Sequence, residues 1–402
     1  MIQAGVGLST QKNTAEAARE ATQTALSQAV IDRADLALVF ATADHGAAYS
    51  QLLRTVQTTA QTANVVGCSA GGVLVSGQEV ERTAGVAVLT VRADAFAAER
   101  FFIPQLRGRS QETGQEIATR VQPHRGSENL LMVFPDTYNF NSGAFFQGLS
   151  QGLSAGGGPI EAVGGGASED GSVGETFQLC GDTVGNNAVS GALLSGNFAY
   201  SVGISQSCQP IGPVHTVTKA HRNLILELDD RPAFEVFVEL LPPPLREDLR
   251  RAAGVVFAGM PVDAERQHIA ASEYVVRNLI GFDADQGIVA IADEVHQGQK
   301  MVFTLRSGDG SRADLKRVLE HQAQTWADTK PAFGLYVNCV GRGKGLYGFA
   351  DLDTSYIAQY IGDVPIVGFF SGCEIAPIQR VESLLQYTGV LILVGERAAS
   401  LH

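Results

Sequence analysis

The sequence contains little cysteine, and not in the arrangement that a disulfide framework or a zinc site requires. Only 5 of the 402 residues are cysteine, and they lack the close pairs of zinc-binding or redox motifs. The five are Cys68, Cys180, Cys208, Cys339 and Cys373. We therefore expect reduced thiols in a cytoplasmic protein.

Long apolar runs and an excess of positive charge are also missing. The start, MIQAGVGLSTQKNTAEAA, lacks the basic and apolar stretches of a secretory signal, and no later run approaches the roughly 18 apolar residues of a membrane span. The 42 acidic and 29 basic residues leave a formal charge of -13, which repels phosphate backbones and anionic lipid. We expect no export, no membrane insertion and no nucleic-acid partner, and the oligomeric state stays open.

Metal-binding motifs are absent as well. The 8 histidines show neither HExxH nor close pairing, so the sequence predicts no metal site built from protein ligands alone. One histidine is enough to hold a haem iron, however. A haem cofactor is therefore left open. The alternative for each of the eight histidines is an ordinary surface or hydrogen-bonded residue, which is the more common role of histidine.

The sequence does contain a divergent pattern of apolar strand, helix, glycine turn and apolar strand, which appears three times. Buried strands are predicted by LALVFATADHG from Leu36, NLLMVFPDTYNF from Asn129 and AFGLYVNCVGRG from Ala332. Each is followed by apolar residues at helical spacing and then by a glycine that ends a second strand. These glycines are Gly67, Gly164 and Gly368, and the closing strands begin at Ala84, Val189 and Thr388.

This pattern predicts an α/β protein of two related halves, in which mixed β-sheets are layered with helices. A change from glycine-rich strands to TKAHRN, followed by a helix that starts at Pro232, places the boundary near residue 223. The predicted domains are 1–223 and 224–402. Helix starts are also predicted at Asn13 and at Ser311.

GCSAG, with Ser69 at its centre, matches the GxSxG turn that presents a nucleophilic serine in hydrolases. That turn needs a helix after it, whereas GVLVSG follows here and favours a strand. We therefore interpret the segment as a tight turn between strands. Hydrolysis by Ser69 or Cys208 stays an alternative, although Cys208 in SCQPIGP is more simply a buried, unreactive thiol that lines a pocket.

Glycine clusters at 156–158 and 164–166 suggest anion binding by bare backbone, but neither continues into a phosphate-binding motif. The polar residues after the third repeat's strands are more informative, because strand ends often converge on a ligand. Arg342 is suited to bind a carboxylate, with a solvated loop arginine as an equal alternative. Glu374 is suited to pair either with a ligand ammonium or with Arg342 itself. Asn338 and Ser371 complete this candidate site.

The segments NVVGCSAGG, EAVGGGASEDG, SCQPIGP, CVGRGKGLYG and PIVGFFSGCEIAP occur in this order. As a series they resemble the FIST family of sensory domains over nearly the whole chain. Residues up to about 223 are similar to the N-terminal FIST region, and the rest to the C-terminal one. The family's pattern supplies no catalytic residues to carry over.

The resemblance implies a sensory module of the kind found in prokaryotic signal transduction and in ubiquitin-ligase substrate receptors, with small ligands such as amino acids. Some stand-alone members are similar to a haem-binding branch that senses nitric oxide and regulates a separate histidine kinase. We thus expect an amino-acid-like ligand held by Arg342, Asn338, Ser371 and Glu374, with Ser69 and Cys208 on neighbouring loops. The output is expected to pass through a partner such as a histidine kinase. Haem-dependent gas sensing is the alternative.

Overall fold

The structure is a computed structural model, and it describes residues 1–153, 160–262 and 273–397. The glycine cluster at 156–158 and the histidines at 268 and 402 lie outside the described residues. Within them the chain forms three units in which strand, helix, strand, helix and four strands follow one another, and the third unit adds a short helix at Gly343–Tyr347 and an inserted domain. The predicted threefold repeat is confirmed, and it extends over more elements than the sequence pattern indicated.

The first unit spans residues 2–93. Its elements are β1 (Ile2–Ser9), α1 (Thr14–Ala29), β2 (Leu36–Thr42), α2 (Tyr49–Ala60), β3 (Val65–Ala70), β4 (Gly72–Val75), β5 (Gln78–Glu81) and β6 (Val86–Ala93), with a 3-10 turn at Ala43–Ala48. The second unit spans residues 96–196. Its elements are β7 (Phe96–Pro104), α3 (Ser110–Val121), β8 (Glu128–Pro135), α4 (Ser142–Gly152), β9 (Glu161–Gly166), β10 (Gln178–Cys180), β11 (Thr183–Gly185) and β12 (Ala188–Gly196), with a 3-10 turn at Gln122–His124.

The third unit, residues 198–396, begins with β13 (Phe198–Gln206) and is then interrupted by an inserted domain, residues 208–306. The insertion contains β14 (Cys208–Pro210), β15 (His215–His221), β16 (Leu224–Leu228), β17 (Arg231–Pro232), α5 (Ala233–Leu240), α6 (Pro243–Arg246), α7 (Leu249–Val255), β18 (Val256–Pro261), β19 (Tyr274–Asp283), β20 (Ile288–Ile291) and β21 (Lys300–Arg306). The unit resumes with α8 (Gly308–Thr325), β22 (Phe333–Cys339), α9 (Gly343–Tyr347), α10 (Leu352–Ile361), β23 (Ile366–Ser371), β24 (Cys373–Ile378), β25 (Val381–Leu385) and β26 (Thr388–Glu396).

Each unit gives one hairpin to the sheet of another unit. The sheet orders are β1-β6-β2-β3-β10-β11, β25-β24-β9-β8-β12-β7 and β13-β26-β22-β23-β4-β5. Thus β4 of the first unit joins the third sheet, β10 of the second joins the first, and β24 of the third joins the second. Apolar side chains from all three sheets meet in one central core, while the helices cover the outer faces. The predicted layered α/β architecture is confirmed.

The repeated glycines are required by this pairing. Gly67, Gly164 and Gly368 each lie opposite a residue of the parallel neighbouring strand, namely Val39, Val133 and Tyr336. A Cβ atom on these glycines would lie 1.6, 2.2 and 1.9 Å from the carbonyl oxygen of that residue. β3 and β23 turn directly into a strand of another sheet, whereas β9 is followed by the loop 167–177. Main-chain hydrogen bonds bring the two turns and the start of this loop together at one end of the core.

The inserted domain has its own sheet of β14 to β21 and its own apolar core. Position 223 lies between β15 and β16, which pair with each other in an antiparallel hairpin. The division at 223 stays a prediction. Among the described helices, none is long and apolar enough to cross a membrane.

Two of the three predicted helix starts are confirmed. Asn13 caps α1 by accepting hydrogen bonds from the N–H groups of Ala15 and Glu16, and α5 follows directly after Pro232. The start predicted at Ser311 is wrong, because α8 begins at Gly308 with Ser307 as its cap. The first turn of α8 contains two glycines. Because glycine has a low helix propensity, the sequence pattern placed the start of the helix three residues too late.

Candidate functional site

The three units share a cleft where their turns meet. Its volume is about 330 Å³, at the lower end of the range for small-ligand pockets. The lining residues are Gly71, Glu81 and Arg82 from the first unit, Glu169, Asp170 and Gly171 from the second, and Val340, Arg342, Gly345 and Phe370 from the third. A larger depression of about 750 Å³ is lined by Gln11 and one face of α1. Only the smaller cleft joins the repeated turns.

Main-chain hydrogen bonds hold the turns around the cleft together. The N–H of Ser168 donates to the carbonyl of Ser69 at 3.1 Å, and the N–H of Gly71 donates to the carbonyl of Phe370 at 3.3 Å. The N–H of Gly71 also donates to the hydroxyl of Ser168 at 2.8 Å, and that hydroxyl donates to Phe370. Each of the three units is therefore bonded to another within two residues of the cleft wall.

The acidic wall of the cleft is ordered by Glu169. Its Oε2 accepts the N–H groups of Gly171 at 2.8 Å and Val173 at 2.9 Å, while its Oε1 accepts the Tyr138 hydroxyl at 2.9 Å. Burial raises the pKa of Glu169, but these hydrogen bonds outweigh it and the net pKa is lowered. The wall thus carries a charged carboxylate at neutral pH.

Two carboxylates of β5 join the first unit to the helices of the third. Glu81, in the cleft, accepts the N–H of Lys344 at 2.8 Å. Glu79 accepts the N–H of Thr354 at 3.1 Å, at the start of α10. Burial, and then the charge of Asp353, raise the pKa of Glu79 to about 7. Through these two carboxylates, β5 at the cleft wall is hydrogen-bonded to the first turns of α9 and α10.

Arg342 lies in the cleft floor, but its guanidinium points inward and is fully buried. Nε and Nη2 donate to the two carboxylate oxygens of Asp353 at 3.1 and 3.2 Å, and Nη1 donates to the Ser207 hydroxyl at 2.9 Å. Burial lowers the pKa of Arg342, and the Asp353 carboxylate more than restores it. The predicted carboxylate-binding side chain thus already holds a carboxylate of its own chain.

Ser371 and Glu374 also belong to the buried interior. The Ser371 hydroxyl donates to Glu374 Oε1 at 2.6 Å, and Thr388 donates to Oε2 from its N–H at 3.1 Å and its hydroxyl at 2.8 Å. Glu374 therefore binds two hydroxyl-bearing neighbours, and Arg342 binds Asp353 rather than Glu374. Burial raises the pKa of Glu374 to about 7, although its hydrogen bonds act in the opposite direction.

Asn338 is fully buried in β22. Neither Nδ2 nor Oδ1 of its amide has a hydrogen-bond partner among the described residues. A buried polar group without a partner costs about 1–3 kcal/mol, so such groups need an explanation.

The two proposed nucleophiles occupy structural positions. The Ser69 hydroxyl donates to the carbonyl of Ser168 at 3.0 Å and accepts the N–H of Phe177 at 2.9 Å. The turn at Ser69 leads from β3 into β4, as predicted, and not into a helix. Cys208 is fully buried beside Phe257 and Tyr274, and burial raises the pKa of its thiol. No histidine is hydrogen-bonded to either group in the described parts of the chain.

The cleft does not fit a haem. The side chains that line it, within the described ranges, include no histidine, cysteine, methionine or tyrosine to hold the iron. Two described histidines, His45 and His215, have a buried Nε2 with no described partner. Their Nδ1 atoms are bonded to Thr14 and Asp229 respectively, and neither residue lines the cleft.

The sequence pattern missed the charged residues that face into the cleft. Glu81 is the last residue of β5 and Arg82 follows it, while Glu169 lies in the loop after the second repeated glycine. The segment EAVGGGASEDG carried a signal for two of them. Its Glu169 and Asp170 come shortly after the second repeated glycine, Gly164, just as Gly71 comes shortly after the first, Gly67.

Comparison with known proteins identifies two family domains that together cover most of the chain. Residues 35–231 match the FIST N domain and residues 233–377 match the FIST C domain. An uncharacterized protein of Mycobacterium tuberculosis is 28% identical over 390 residues, covering 97% of this chain and 98% of the relative. One of Mycobacterium bovis is 29% identical over 394 residues, with the same coverage.

Among solved structures, a cyanuric acid hydrolase from A. caulinodans covers 99% of this chain and 100% of its own, with 9% identity and a TM-score of 0.37. A likeness at that level carries no inference about fold or activity. The two domain matches together span more than half of the chain and meet within the inserted domain. The chain therefore belongs to the FIST family, whose domains serve as sensory domains in signal transduction.

Proposed function

We propose that the protein is a cytoplasmic sensor that binds a small, amino-acid-like zwitterion in the cleft between its three units. The observation that carries this proposal is the presence of both charge signs on opposing loops of one cavity of about 330 Å³. Arg82 comes from the first unit, and Glu169 and Asp170 come from the second. A zwitterion matches such a cavity because each of its charges meets one of the opposite sign.

Arg82 is the cation proposed to bind the ligand carboxylate. It is exposed, and no hydrogen bond or ion pair joins it to another described residue. Its backbone has a positive φ of 58°, a conformation that non-glycine residues rarely adopt. A guanidinium can bind a carboxylate through two parallel hydrogen bonds. The ligand ammonium is proposed to meet Glu169, with Glu81 beside it.

The other predicted residues have supporting roles in this proposal. Arg342 forms the floor beneath the ligand, with its guanidinium held by Asp353. Asn338, Ser371 and Glu374 lie behind that floor. Ser69 fixes the turn beside Gly71, and Cys208 follows Ser207, which binds Arg342. Ligand contact by any of these side chains is part of the proposal.

The signal is proposed to pass through a separate partner, such as a histidine kinase. Because Glu81 belongs to the cleft and also holds the first turn of α9, ligand binding there would change the contact between first and third units. A partner could recognise that change.

Thermal-shift screening of the twenty common amino acids tests the proposal. At a ligand concentration 100 times Kd, binding adds about 2.7 kcal/mol to the free energy of unfolding. We expect at least one amino acid to raise Tm, and Arg82→Ala to weaken its binding about tenfold or more, since a charged hydrogen bond is lost. Arg54→Ala, an exposed position on α2, is the matched control. Failure of every amino acid at 10 mM (about 100 times an assumed ~0.1 mM Kd) would contradict the proposal.

A further inference from the structure

The unsatisfied amide of Asn338 lies next to the cleft floor. Residues that pair directly across a sheet point to the same face. Asn338 pairs with Phe370 on one side and with Gly389 on the other, and Gly389 pairs with Ser205. Phe370 lines the cleft. Asn338 itself does not line the cleft, but its side chain lies on the same face of the sheet as the floor residue Phe370, in the neighbouring strand.

The opposite side of Asn338 is also connected to that floor. Gly389 has no side chain, so the next side chain in the row is that of Ser205. The Nη1 group of Arg342 lies 3.4 Å from the Ser205 carbonyl oxygen and 3.5 Å from its hydroxyl, and Arg342 lines the cleft. Asn338 thus has the floor residue Phe370 on one side. On its other side lies Ser205, which is contacted by the second floor residue, Arg342.

The surroundings favour a neutral partner for the amide. Arg342 and Asp353, which contact the neighbours of Asn338 on this face, are joined to each other by two hydrogen bonds that pair their opposite charges. The Tyr336 hydroxyl, two residues before Asn338 in the strand, donates to Asp353 at 3.0 Å. An added carboxylate or ammonium would be an uncompensated charge in a buried place.

We propose that the ligand site extends behind Phe370 to a subsite at Asn338, and that this subsite binds a primary carboxamide. A carboxamide offers one carbonyl and one N–H, which match the Nδ2 and Oδ1 of Asn338 in a pair of hydrogen bonds. A carboxylate would leave the Oδ1 facing an oxygen. The inference rests on the proposed function, and it narrows the ligand to an amino acid with an amide side chain.

Isothermal titration with matched ligands tests the subsite. The probes are L-glutamine and L-asparagine, each against its acid, L-glutamate or L-aspartate, with L-alanine as a ligand that has no side-chain amide. We expect one carboxamide to bind about tenfold or more tightly than its acid, because two hydrogen bonds are gained. Asn338→Leu should remove that advantage, so that the carboxamide and its acid bind with similar affinity.

Thr90→Val is the matched control. The Thr90 hydroxyl is likewise buried without a described partner, but Thr90 lies in β6, where its cross-strand neighbours Gly5 and Ala37 do not line the cleft. This variant should keep the carboxamide preference. If Asn338→Leu does not fold, Asn338→Ser and the ligand series on the unchanged protein decide the question.

The outcomes separate the two proposals. If no amino acid binds, including L-alanine, then the proposed function is itself wrong. If amino acids bind but a carboxamide has no advantage over its acid, only the subsite is wrong, and water alone meets the amide. An advantage that survives Asn338→Leu would also overturn the subsite, since the carboxamide would then bind elsewhere.

Discussion

Arg342 Nε lies 3.1 Å from Asp353 Oδ2, and neither side chain is exposed to solvent. Arg342 follows β22 and Asp353 lies in the first turn of α10, so the pair fixes the helix against the strand end that forms the cleft floor. Ser207 and Tyr336 supply further hydrogen bonds. The ion pair therefore connects the floor to the layer of helices behind it.

Removal of one partner should be costly. Asp353→Ala leaves a buried guanidinium without its counterion, and we expect the free energy of unfolding to fall by about 3–5 kcal/mol. Urea denaturation followed by circular dichroism measures the change. Glu239→Ala, which breaks the exposed pair with Arg231, is the control and should have little effect. A loss below about 1 kcal/mol for Asp353→Ala would show that the pair does not support the floor.

The repeated glycines should tolerate no side chain. Gly67→Ala places a Cβ 1.6 Å from the Val39 carbonyl oxygen, which forces the parallel strands β2 and β3 apart. We expect a loss of about 3 kcal/mol in the free energy of unfolding. Gly281→Ala in β19, where a Cβ meets no atom within 4 Å, is the comparison and should be close to neutral. Equal stabilities of the two variants would count against the strand pairing described here.

Burial of Glu374 should make stability depend on pH. Its pKa is raised from 4.5 to about 7, so between these values the folded protein binds more protons than the unfolded chain. The stabilising contribution is then complete below pH 4.5 and falls as the pH rises towards 7. A shift of this size corresponds to about 3 kcal/mol.

Glu374→Gln should remove that share of the pH dependence. The measurement is urea denaturation at pH 5 and pH 8, where the decrease between the two pH values should be smaller in the variant by about 2–3 kcal/mol. Glu320→Gln, at an exposed position of α8, should leave the decrease unchanged. The same decrease in Glu374→Gln and in the unchanged protein would contradict the assignment.

The sequence predicted the repeat because its signals are local. Gly67, Gly164 and Gly368 follow apolar strands at equivalent places, and the tight turn after Ser69 could be inferred from GVLVSG alone. Strand exchange could not be predicted in this way. β4 pairs with β23, whose residues lie almost 300 positions later in the chain, and a strand of four residues carries no signal for its partner.

The sequence predicted only part of the candidate site, because the rest depends on pairing between residues that are distant in the chain. Arg342 lies in the cleft floor, but its partner Asp353 is 11 residues away in a helix whose orientation the sequence does not specify. Arg82 and Glu169 resemble ordinary charged loop residues until the turns of the first and second units are brought together. Long-range pairing of the turns, rather than the motifs within them, determines which side chains face the cleft.

In the proposed mode of binding, the turns of three units form one ligand site. A crystal structure of the protein with the amino acid that gives the largest thermal shift tests this arrangement. We expect electron density for that ligand in the cleft, with its carboxylate at Arg82 and its ammonium at Glu169. Density at any other place, with the cleft filled only by water, would contradict it.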